Sequence, residues 1–374
     1  MDKASFRRLY ELGELSEPAP ALSVVSAREL QQKSIPPIRF IVDGLIPAGL
    51  SILASPPKYG KSWLCLDLCL SVAAGKHFLG YRVTGCGCLY LALEDSERRL
   101  KARMGRLLSG REAPEGFYFA TEAPVLDSGL LDELEAFLAA HSDVGLVVVD
   151  TFQRVRGAAL GREGAYAADY RETGALKRFA DAHNIALLLV HHLRKMGDDA
   201  DPFNRVSGTT GVTGAADTML VLSKEQRSDS TAKLSVVGRD VEGCDMVLQF
   251  DKELCRWVNM GDADAFAEEQ RRREYMASPI TLTVRKLLEQ RPEGWTGTSK
   301  DLLEAGKYIA RAQLASTSQE LAKKLVDMAE LFLEYDGIVY DRKSNGNGGR
   351  RHSFAYKRAF EEIVDDEDNP FIIS

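Results

Sequence analysis

Short apolar runs alternate with helix-like segments over the first half of the chain. The runs lie at 50–55, 88–93, 117–120, 145–149 and 185–190. Helical spacing of apolar residues begins at Lys61 and Ser96 and covers 130–141 and 164–183. Continuous apolar runs are typical of strands buried on both faces of a sheet. Because helices between such strands connect them in parallel, the pattern predicts an α/β fold with a mostly parallel central sheet.

The pattern changes after residue 190. Three strand-like segments at 218–223, 234–238 and 246–250 follow at close spacing with turn residues between them. This spacing predicts a meander at one edge of the sheet. A charged run at 267–279 then predicts a linker, with a solvent-exposed helix as the alternative.

The last part of the chain predicts a second, smaller unit. Helix-like segments at 282–291, 299–305 and 317–335 precede two strand-like segments joined by a glycine-rich turn at 344–349. Three helices followed by a hairpin predict a winged-helix-like domain. The acidic residues after 358 predict a tail without fixed structure.

Composition narrows the class of protein. The 374 residues include 48 Lys and Arg against 55 Asp and Glu, a net charge of −7, which excludes indiscriminate binding of nucleic acid but not a local basic channel. The six cysteines lack zinc spacing and fit a reducing compartment. Without a signal peptide or a long apolar stretch, we expect a cytoplasmic protein with no membrane partner.

The segment SPPKYGKS at 55–62 lies between a predicted strand and a predicted helix. A phosphate chain needs backbone N–H groups at a helix N-terminus, a lysine for its oxygens and a hydroxyl for Mg²⁺. Ser55, Lys58, Gly60, Lys61 and Ser62 are therefore predicted to bind ATP, and Ser62 also Mg²⁺. Ser55 stands where the strict P-loop motif has its first glycine, and the alternative is a helix N-terminus without a ligand.

Carboxylates follow two other apolar strands. Asp150, after LVVV, is predicted to hold Mg²⁺, with a simple turn residue as the alternative. Glu94 and Asp95 follow LYLAL, and alternation along a strand directs them to opposite sides. We expect Glu94 to be the base that activates water and Asp95 to cap the next helix.

Six segments carry a family resemblance: SPPKYGKSW, LYLALEDSERRL, VVVDTFQ, LLLVHHLRK, VSGTTGVTGAADTMLVL and VVGRDVEG, in this order. As a set, over about 36–259, they resemble the RepA-like branch of RecA-fold ATPases, akin to DnaB-type hexameric replicative helicases. The resemblance implies a RecA-like sheet, assembly into a ring, most simply a homohexamer, and ATP bound between neighbouring subunits. It also implies that the catalytic glutamate follows the second strand, as Glu94 does.

With that resemblance, five parts are expected along the chain. They are an N-terminal arm (1–35), a RecA-like ATPase domain (36–262), a linker (263–279), a winged-helix-like domain (280–358) and an acidic tail (359–374).

The resemblance also implies roles for two residues outside the P-loop. His192, in the pair that ends the fifth strand, corresponds to the position that senses the γ-phosphate; a satisfied polar group at a strand end is the alternative. Arg239 corresponds to the arginine that reaches the neighbouring subunit's site. DnaB-type proteins have Lys-x-Arg here, whereas this chain has Val237 in place of the lysine, and the alternative for Arg239 is an ion pair with Asp240 or Glu242.

Basic loops are the candidates for nucleic-acid binding. In a RecA-type ring the loops after the Asp150 and histidine strands face the central channel, and single-stranded DNA is the expected ligand. The predicted contacts are Arg154, Arg156, Arg194, Lys195 and Arg205, with Arg350 and Arg351 on the C-terminal hairpin. The alternatives are ordinary surface loops, and a C-terminal unit that contacts a replication initiator or loader protein instead of DNA.

The function expected from these features is an ATP-hydrolysing DNA helicase or translocase that acts as a ring in DNA replication. Two alternatives remain open. One is an accessory ATPase of recombination or repair, and the other is a regulatory ATPase in which nucleotide switches the winged-helix-like module. The departures at Ser55 and Val237 favour the slow turnover expected of a switch.

Overall fold

The structure is a computed structural model that describes residues 24–157, 164–193, 202–206, 210–345 and 349–357. Several predictions fall outside these residues. They concern most of the N-terminal arm, the loop cations Arg194 and Lys195, and the acidic tail.

Helices and strands alternate as the sequence predicts. The helices are α1 (Ala27–Gln32), α2 (Lys61–Ala73), α3 (Glu97–Leu108), α4 (Leu130–Ala140), α5 (Ala165–His183), α6 (Thr210–Ala215), α7 (Ala263–Ala277), α8 (Pro279–Gln290), α9 (Ser299–Ile309), α10 (Ser318–Asp327) and α11 (Ala329–Asp336). Short 3-10 helices span Leu126–Ser128, Phe152–Arg154 and Pro202–Arg205.

The strands begin with a short antiparallel pair and end with a hairpin. They are β1 (Phe40–Val42), β2 (Ile46–Pro47), β3 (Gly49–Ser55), β4 (Gly87–Ala92), β5 (Phe117–Ala120), β6 (Val144–Asp150), β7 (Ala186–His192), β8 (Thr218–Ser223), β9 (Thr231–Gly238), β10 (Cys244–Asp251), β11 (Arg256–Asp262), β12 (Trp295–Thr298), β13 (Ile338–Asn345) and β14 (Gly349–Tyr356).

The central sheet has nine strands in the order β11-β10-β9-β8-β3-β7-β6-β4-β5. The six strands from β8 to β5 pair in parallel, and β9, β10 and β11 continue the sheet from β8 in antiparallel pairing. The predicted α/β class with a mostly parallel sheet is confirmed. The predicted meander is also present, and β11 extends it by one strand that the sequence pattern did not indicate.

Two hydrophobic cores cover the two faces of this sheet. Helix α2 packs on one face, with Leu64, Cys65 and Leu68 buried against side chains of the strands. Helices α4 and α5 pack on the other face through residues such as Leu134 and Leu176. Because both faces are covered, the parallel strands β3, β4 and β6 are buried along their whole length, which explains their continuous apolar runs.

The C-terminal elements have a core of their own. Helices α8 to α11 surround the three-stranded sheet β12-β14-β13, and Leu288, Leu302, Phe332 and Phe354 are buried there. Strand β12 was missed because WTGT is only four residues long and offers no run of apolar residues. Its Trp295 is nevertheless buried against Phe354 of β14.

One further expectation for this region was wrong. The single helix expected at 317–335 is two helices, because α10 ends at Asp327 and α11 begins at Ala329. Most of the charged run at 267–279 lies in α7, the solvent-exposed helix given as the alternative, and its role as a linker stays a prediction. Tyr335 of α11 donates a hydrogen bond to Glu268 of this helix.

Residues 24–39 belong to a separate unit, described here by itself. Its helix α1 begins with a capping box, in which the Ser26 hydroxyl accepts from the Glu29 backbone and the Glu29 carboxylate accepts from Ser26. None of the six residues of this helix is buried. Throughout the described residues, helices lack the length and apolar character required to span a bilayer.

The C-terminal core provides a stability test with a matched control, because helix α8 carries two leucines in opposite environments. Leu288 is 0% exposed and Leu282 is 45% exposed. We expect Leu288→Ala to lower the free energy of unfolding by about 2–5 kcal/mol, since it leaves a cavity in the core. Leu282→Ala should change it by less than about 1 kcal/mol. Urea unfolding followed by circular dichroism measures both, and equal effects would contradict this packing.

Candidate functional site

Four neighbouring parallel strands end at one edge of the sheet, and a cavity of about 550 Å³ opens there. Within the sheet, Ser55 at the end of β3 lies beside His192 of β7, and Asp150 at the end of β6 lies beside Ala92 of β4. The predicted residues on the cavity wall are Lys58, Gly60, Lys61, Ser62, Glu94, Asp150 and His192. Tertiary structure therefore brings together most of the predicted nucleotide and metal residues.

The loop between β3 and α2 has the backbone shape that its sequence requires. Gly60 has φ +96° at the N-cap of α2, and Lys58 also has a positive φ of 69°. A side chain at Gly60 would bring its Cβ to 3.0 Å from the ring of Trp257. Both the left-handed backbone and the close approach of this ring thus favour glycine. The N–H groups of the first turn of α2 have no partner within the helix and are available to an anion.

Lys61 is folded back onto its own loop. Its Nζ donates to the carbonyl oxygens of Ser55 at 2.6 Å and Pro56 at 3.3 Å, and lies 3.2 Å from His192 Nδ1. The residue is only 7% exposed. Burial lowers the pKa of Lys61 to about 8, against the opposing effect of the nearby Asp150 charge. A polyphosphate in the cavity would offer this ammonium stronger acceptors than the carbonyls it now uses.

Ser55 holds the ammonium of Lys61 from a position outside the cavity. It is fully buried at the end of β3, and it does not line the cavity. Its carbonyl holds Lys61, and its hydroxyl donates to the carbonyl of Pro56. The prediction that Ser55 binds the nucleotide therefore finds no support in its position.

Asp150 and Ser62 form a donor set suited to a hard cation. Burial raises the pKa of Asp150, whereas hydrogen bonds from Tyr90 and Ser62 oppose this shift. Tyr90 Oη donates to Asp150 Oδ2 at 2.7 Å. Burial and the Asp150 charge raise the pKa of Tyr90, so its hydroxyl remains a donor. A carboxylate and a hydroxyl that line the same cavity are oxygen ligands of the kind that Mg²⁺ prefers.

The two carboxylates after β4 have different surroundings. Asp95 accepts from the backbone of Ser96 at 3.1 Å and from Arg99 Nη1 at 2.9 Å, and it also pairs with Arg103. The side chain of Asp95 is 9% exposed, and that of Glu94 is 47% exposed. Asp95 is thus tied to the start of α3, and Glu94 is the carboxylate available to a reactant.

Glu94 has two neighbours in the segment that follows Asp150. Its Oε1 accepts from the Thr151 hydroxyl at 3.2 Å and lies 3.8 Å from Arg154 Nε. These contacts hold Glu94 at the cavity wall, where a carboxylate can accept a proton from water.

The histidine pair is divided between the cavity and the core. His191 is buried, with its ring against that of Phe152. His192 lines the cavity beside Lys61, and burial, then the Lys61 charge, lower the pKa of His192. Neutral His192 can therefore accept a hydrogen bond from Lys61 at neutral pH.

Arg239 lies at the opposite edge of the sheet. It follows β9, which runs antiparallel to β8, so its backbone N–H donates to Asp217 at 2.8 Å, near the start of β3. The length of β3, about 17 Å from Leu50 to Ser55, separates this edge from the cavity. The side chain is 62% exposed, approaching Asp217 Oδ1 at 3.6 Å and the Gly214 carbonyl at 3.2 Å. The ion-pair partner is thus Asp217, whereas the sequence suggested Asp240 or Glu242.

The predicted nucleic-acid residues differ in availability. Arg154 has a side chain that is 60% exposed, and Arg350 and Arg351 are exposed on β14. The backbone of Arg205 lies in the 3-10 helix Pro202–Arg205. His352, next to Arg351, is buried between Ser299 and Tyr340 and does not belong to the exposed basic surface.

The prediction that Arg156 binds nucleic acid must be corrected. Its guanidinium pairs with the buried carboxylates of Asp169 at 2.6 Å and Glu172 at 2.7 Å, and it lies over the ring of Phe152. Breaking a buried pair of this kind costs about 3–5 kcal/mol, whereas an exposed ion pair contributes about 1 kcal/mol or less. Arg156 therefore anchors α5 to the segment after β6, and we leave it out of the residues proposed to bind DNA.

Sequence reasoning missed several residues of the cavity wall. They are Trp63, Arg99, Arg103 and Thr151. A signal for the two arginines was present, since they follow Asp95 at the i+4 and i+8 positions that share one side of a helix. Trp63 and Thr151 have no comparable signal, because their contacts come from chain folding rather than from local spacing.

Comparisons with known proteins agree with this fold. A family model described as an AAA domain matches residues 16–198. The DNA repair protein RadA of Mycobacterium tuberculosis H37Rv is 31% identical over 165 residues, which cover 44% of this chain and 31% of RadA. RadA of Listeria monocytogenes is 27% identical over 206 residues, 54% of this chain and 40% of that protein. The chain thus spans less than half the length of these curated relatives.

A solved structure shares the architecture at low sequence identity. It is that of a DnaB-like replicative helicase, solved in a study of its interactions with primase. The TM-score is 0.50 at 13% identity, and the match covers 69% of this chain and 71% of the helicase chain. The fold implied by the sequence motifs is confirmed: this chain shares the fold of the DnaB-like helicase chain, and residues 16–198 match the AAA domain model.

Proposed function

We propose that this chain is an ATP-hydrolysing motor that acts on single-stranded DNA, as a helicase or translocase in DNA replication. The observation that supports the ATPase assignment is the meeting of Lys61, Ser62, Asp150 and Glu94 around one cavity. These residues come from three strand ends, and together they supply a phosphate-binding ammonium, two oxygen ligands and a base.

The proposed roles follow from the surroundings of each group. Lys61 and the N–H groups at the start of α2 bind the phosphates, and Ser62 and Asp150 hold Mg²⁺. When bound, Mg²⁺ neutralises charge that develops on the phosphate oxygens. Glu94, exposed and held by Thr151, takes the proton from the attacking water. His192 reports the state of the phosphates because it touches Lys61.

The position of Arg239 supports the proposal that copies of this chain assemble into a ring. A single chain presents this arginine at the sheet edge opposite to its own cavity, so it serves as a catalytic arginine only in another copy. We propose a closed homo-oligomer, most simply a hexamer, with ATP bound between neighbouring copies. An arginine supplied in this way contributes on the order of 10³–10⁵ in rate in well-studied ATPases and GTPases.

Coupling to DNA is proposed through the segment after β6. Arg154 is exposed, and it also contacts Glu94, so a phosphate that engages Arg154 alters the surroundings of the base. Arg194, Lys195 and Arg205, which follow β7 in the sequence, stay predicted DNA contacts. We propose that the C-terminal unit is winged-helix-like and that Arg350 and Arg351 contact DNA; an initiator or loader protein is the alternative partner for this unit.

Two other functions have specific support. The RadA relatives favour an accessory ATPase of recombination or repair that assembles on DNA without unwinding it. The absence of glycine at Ser55 and of lysine at Val237 favours a slow, nucleotide-switched regulator. A forked-duplex unwinding assay separates the first from a helicase, and electron microscopy distinguishes closed rings from open filaments.

The first test of the proposed function is steady-state ATP hydrolysis with and without single-stranded DNA. We expect DNA to raise the rate several-fold. Lys61→Ala should abolish hydrolysis and weaken ATP binding, because the loop loses the ammonium that binds the phosphates of ATP. Hydrolysis that depends on Lys61 but ignores DNA would favour the regulatory ATPase, and hydrolysis that survives Lys61→Ala would contradict the assigned site.

Arg154 and Arg156 allow the same substitution to be compared two residues apart. Arg154→Ala should reduce stimulation by DNA with little loss of stability, because this side chain is exposed. Arg156→Ala should lower the free energy of unfolding by about 3–5 kcal/mol, since it leaves two buried carboxylates without their cation. ATPase titrations with DNA and urea unfolding measure the two effects. Equal loss of stability in both variants would contradict these assignments.

The trans role of Arg239 is tested by mixing two inactive variants. Arg239→Ala should bind ATP and lose turnover, and Glu94→Gln should do the same for a different reason. Mixed rings contain interfaces with an intact Glu94 on one side and an intact Arg239 on the other, so activity should partly return. Each variant mixed with wild-type protein serves as the control for subunit exchange. No recovery despite exchange would exclude Arg239 as the trans arginine.

A further inference from the structure

Tyr90 is a buried tyrosine in the middle of the sheet whose hydroxyl touches the proposed metal ligand. The residue is 1% exposed and belongs to β4, which pairs in parallel with β6. Ala92 lies directly opposite Asp150, and Tyr90 lies opposite Val148. Tyr90 and Ala92 therefore share the face from which Asp150 projects, and a side chain as long as tyrosine reaches the diagonal neighbour on the next strand.

The hydrogen bond fixes one oxygen of a carboxylate that stands at a strand end. Tyr90 Oη donates to Asp150 Oδ2 at 2.7 Å, in a buried position. The ring is packed in the core that α2 forms with this face of the sheet, close to Cys65 and Cys69. The packed core prevents the phenol from moving with the carboxylate when the carboxylate rotates. The hydrogen bond therefore restrains the orientation of Asp150.

We propose that Tyr90 is a positioning residue for Mg²⁺: its hydroxyl anchors Oδ2 of Asp150 and leaves the other carboxylate oxygen to serve as a ligand. The inference rests on the proposed Mg-ATP site. Partners that orient a metal ligand typically contribute 10–100-fold to metal affinity or activity, so the loss of this hydroxyl should be measurable. A tyrosine that only satisfied a buried carboxylate would affect stability alone.

Nucleotide affinity measured with and without metal separates these two roles. A fluorescent ADP analogue is titrated in Mg²⁺ and again in EDTA, and the ratio of the two dissociation constants gives the gain that Mg²⁺ provides. For Tyr90→Phe we expect unchanged affinity in EDTA and a gain reduced on the order of 10-fold. Tyr340→Phe is the matched control, because it removes a hydroxyl bonded to His352 in the C-terminal unit and should leave the gain unchanged.

A gain equal to that of wild type in folded Tyr90→Phe would overturn the inference. If Tyr90→Phe does not fold, the double variant Tyr90→Phe/Ala92→Ser replaces it, because a serine opposite Asp150 returns a hydroxyl from another direction. The single variant Ala92→Ser is the reference for this double variant. A gain below the reference supports positioning by Tyr90, and a gain equal to it contradicts that role. Absence of any gain in wild-type protein would instead refute the proposed Mg-nucleotide site, and with it the inference.

Discussion

The direction of the strands is the constraint on which the site depends. Strands β3, β7, β6 and β4 are neighbours and run parallel, so their carboxyl ends meet at one edge. Lys61 and His192 are separated by 131 positions in sequence, yet their nitrogens lie 3.2 Å apart. A phosphate-binding lysine, a metal-binding carboxylate and a base can come from distant segments because each only has to follow a strand that ends at this edge.

The antiparallel strands of the sheet contact the loop that would bind phosphate. Trp257 of β11 donates from its indole Nε1 to the Gly60 carbonyl at 3.3 Å, and its ring would lie only 3.0 Å from a Cβ at Gly60. Lys224, just after β8, lies over the rings of both Trp257 and Tyr59. Arg256 of β11 pairs with Asp67 of α2 at 2.7 Å. The strands that follow the parallel series therefore contact both the P-loop and helix α2.

Charged residues near the cavity fall into two groups with different consequences. Arg156, Asp169 and Glu172 form a largely buried ion cluster that joins α5 to the segment after β6. Arg154 and Glu94, in contrast, form a long and exposed contact at 3.8 Å. The buried cluster is costly to break, so it fixes the segment after β6. The contact between Arg154 and Glu94 is weak enough for a ligand to replace it. Arg156 thus supports this segment rigidly, whereas Arg154, two residues earlier, makes a contact that a ligand can replace.

Local pattern determined a large part of this protein. Apolar runs gave the parallel strands, and SPPKYGKS, Asp150 and Glu94 gave the residues that meet at the cavity, because strand ends and loops are encoded by neighbouring residues. Strand β12 and the break at Met328 lacked such a pattern, since they depend on packing within the C-terminal core. Only the tertiary structure decided that Arg156 is locked in a buried cluster, that Ser55 acts through its carbonyl, and that Tyr90 touches Asp150. These facts depend on which distant side chains share a face or a cavity. The spacing of residues along the sequence does not indicate such long-range contacts.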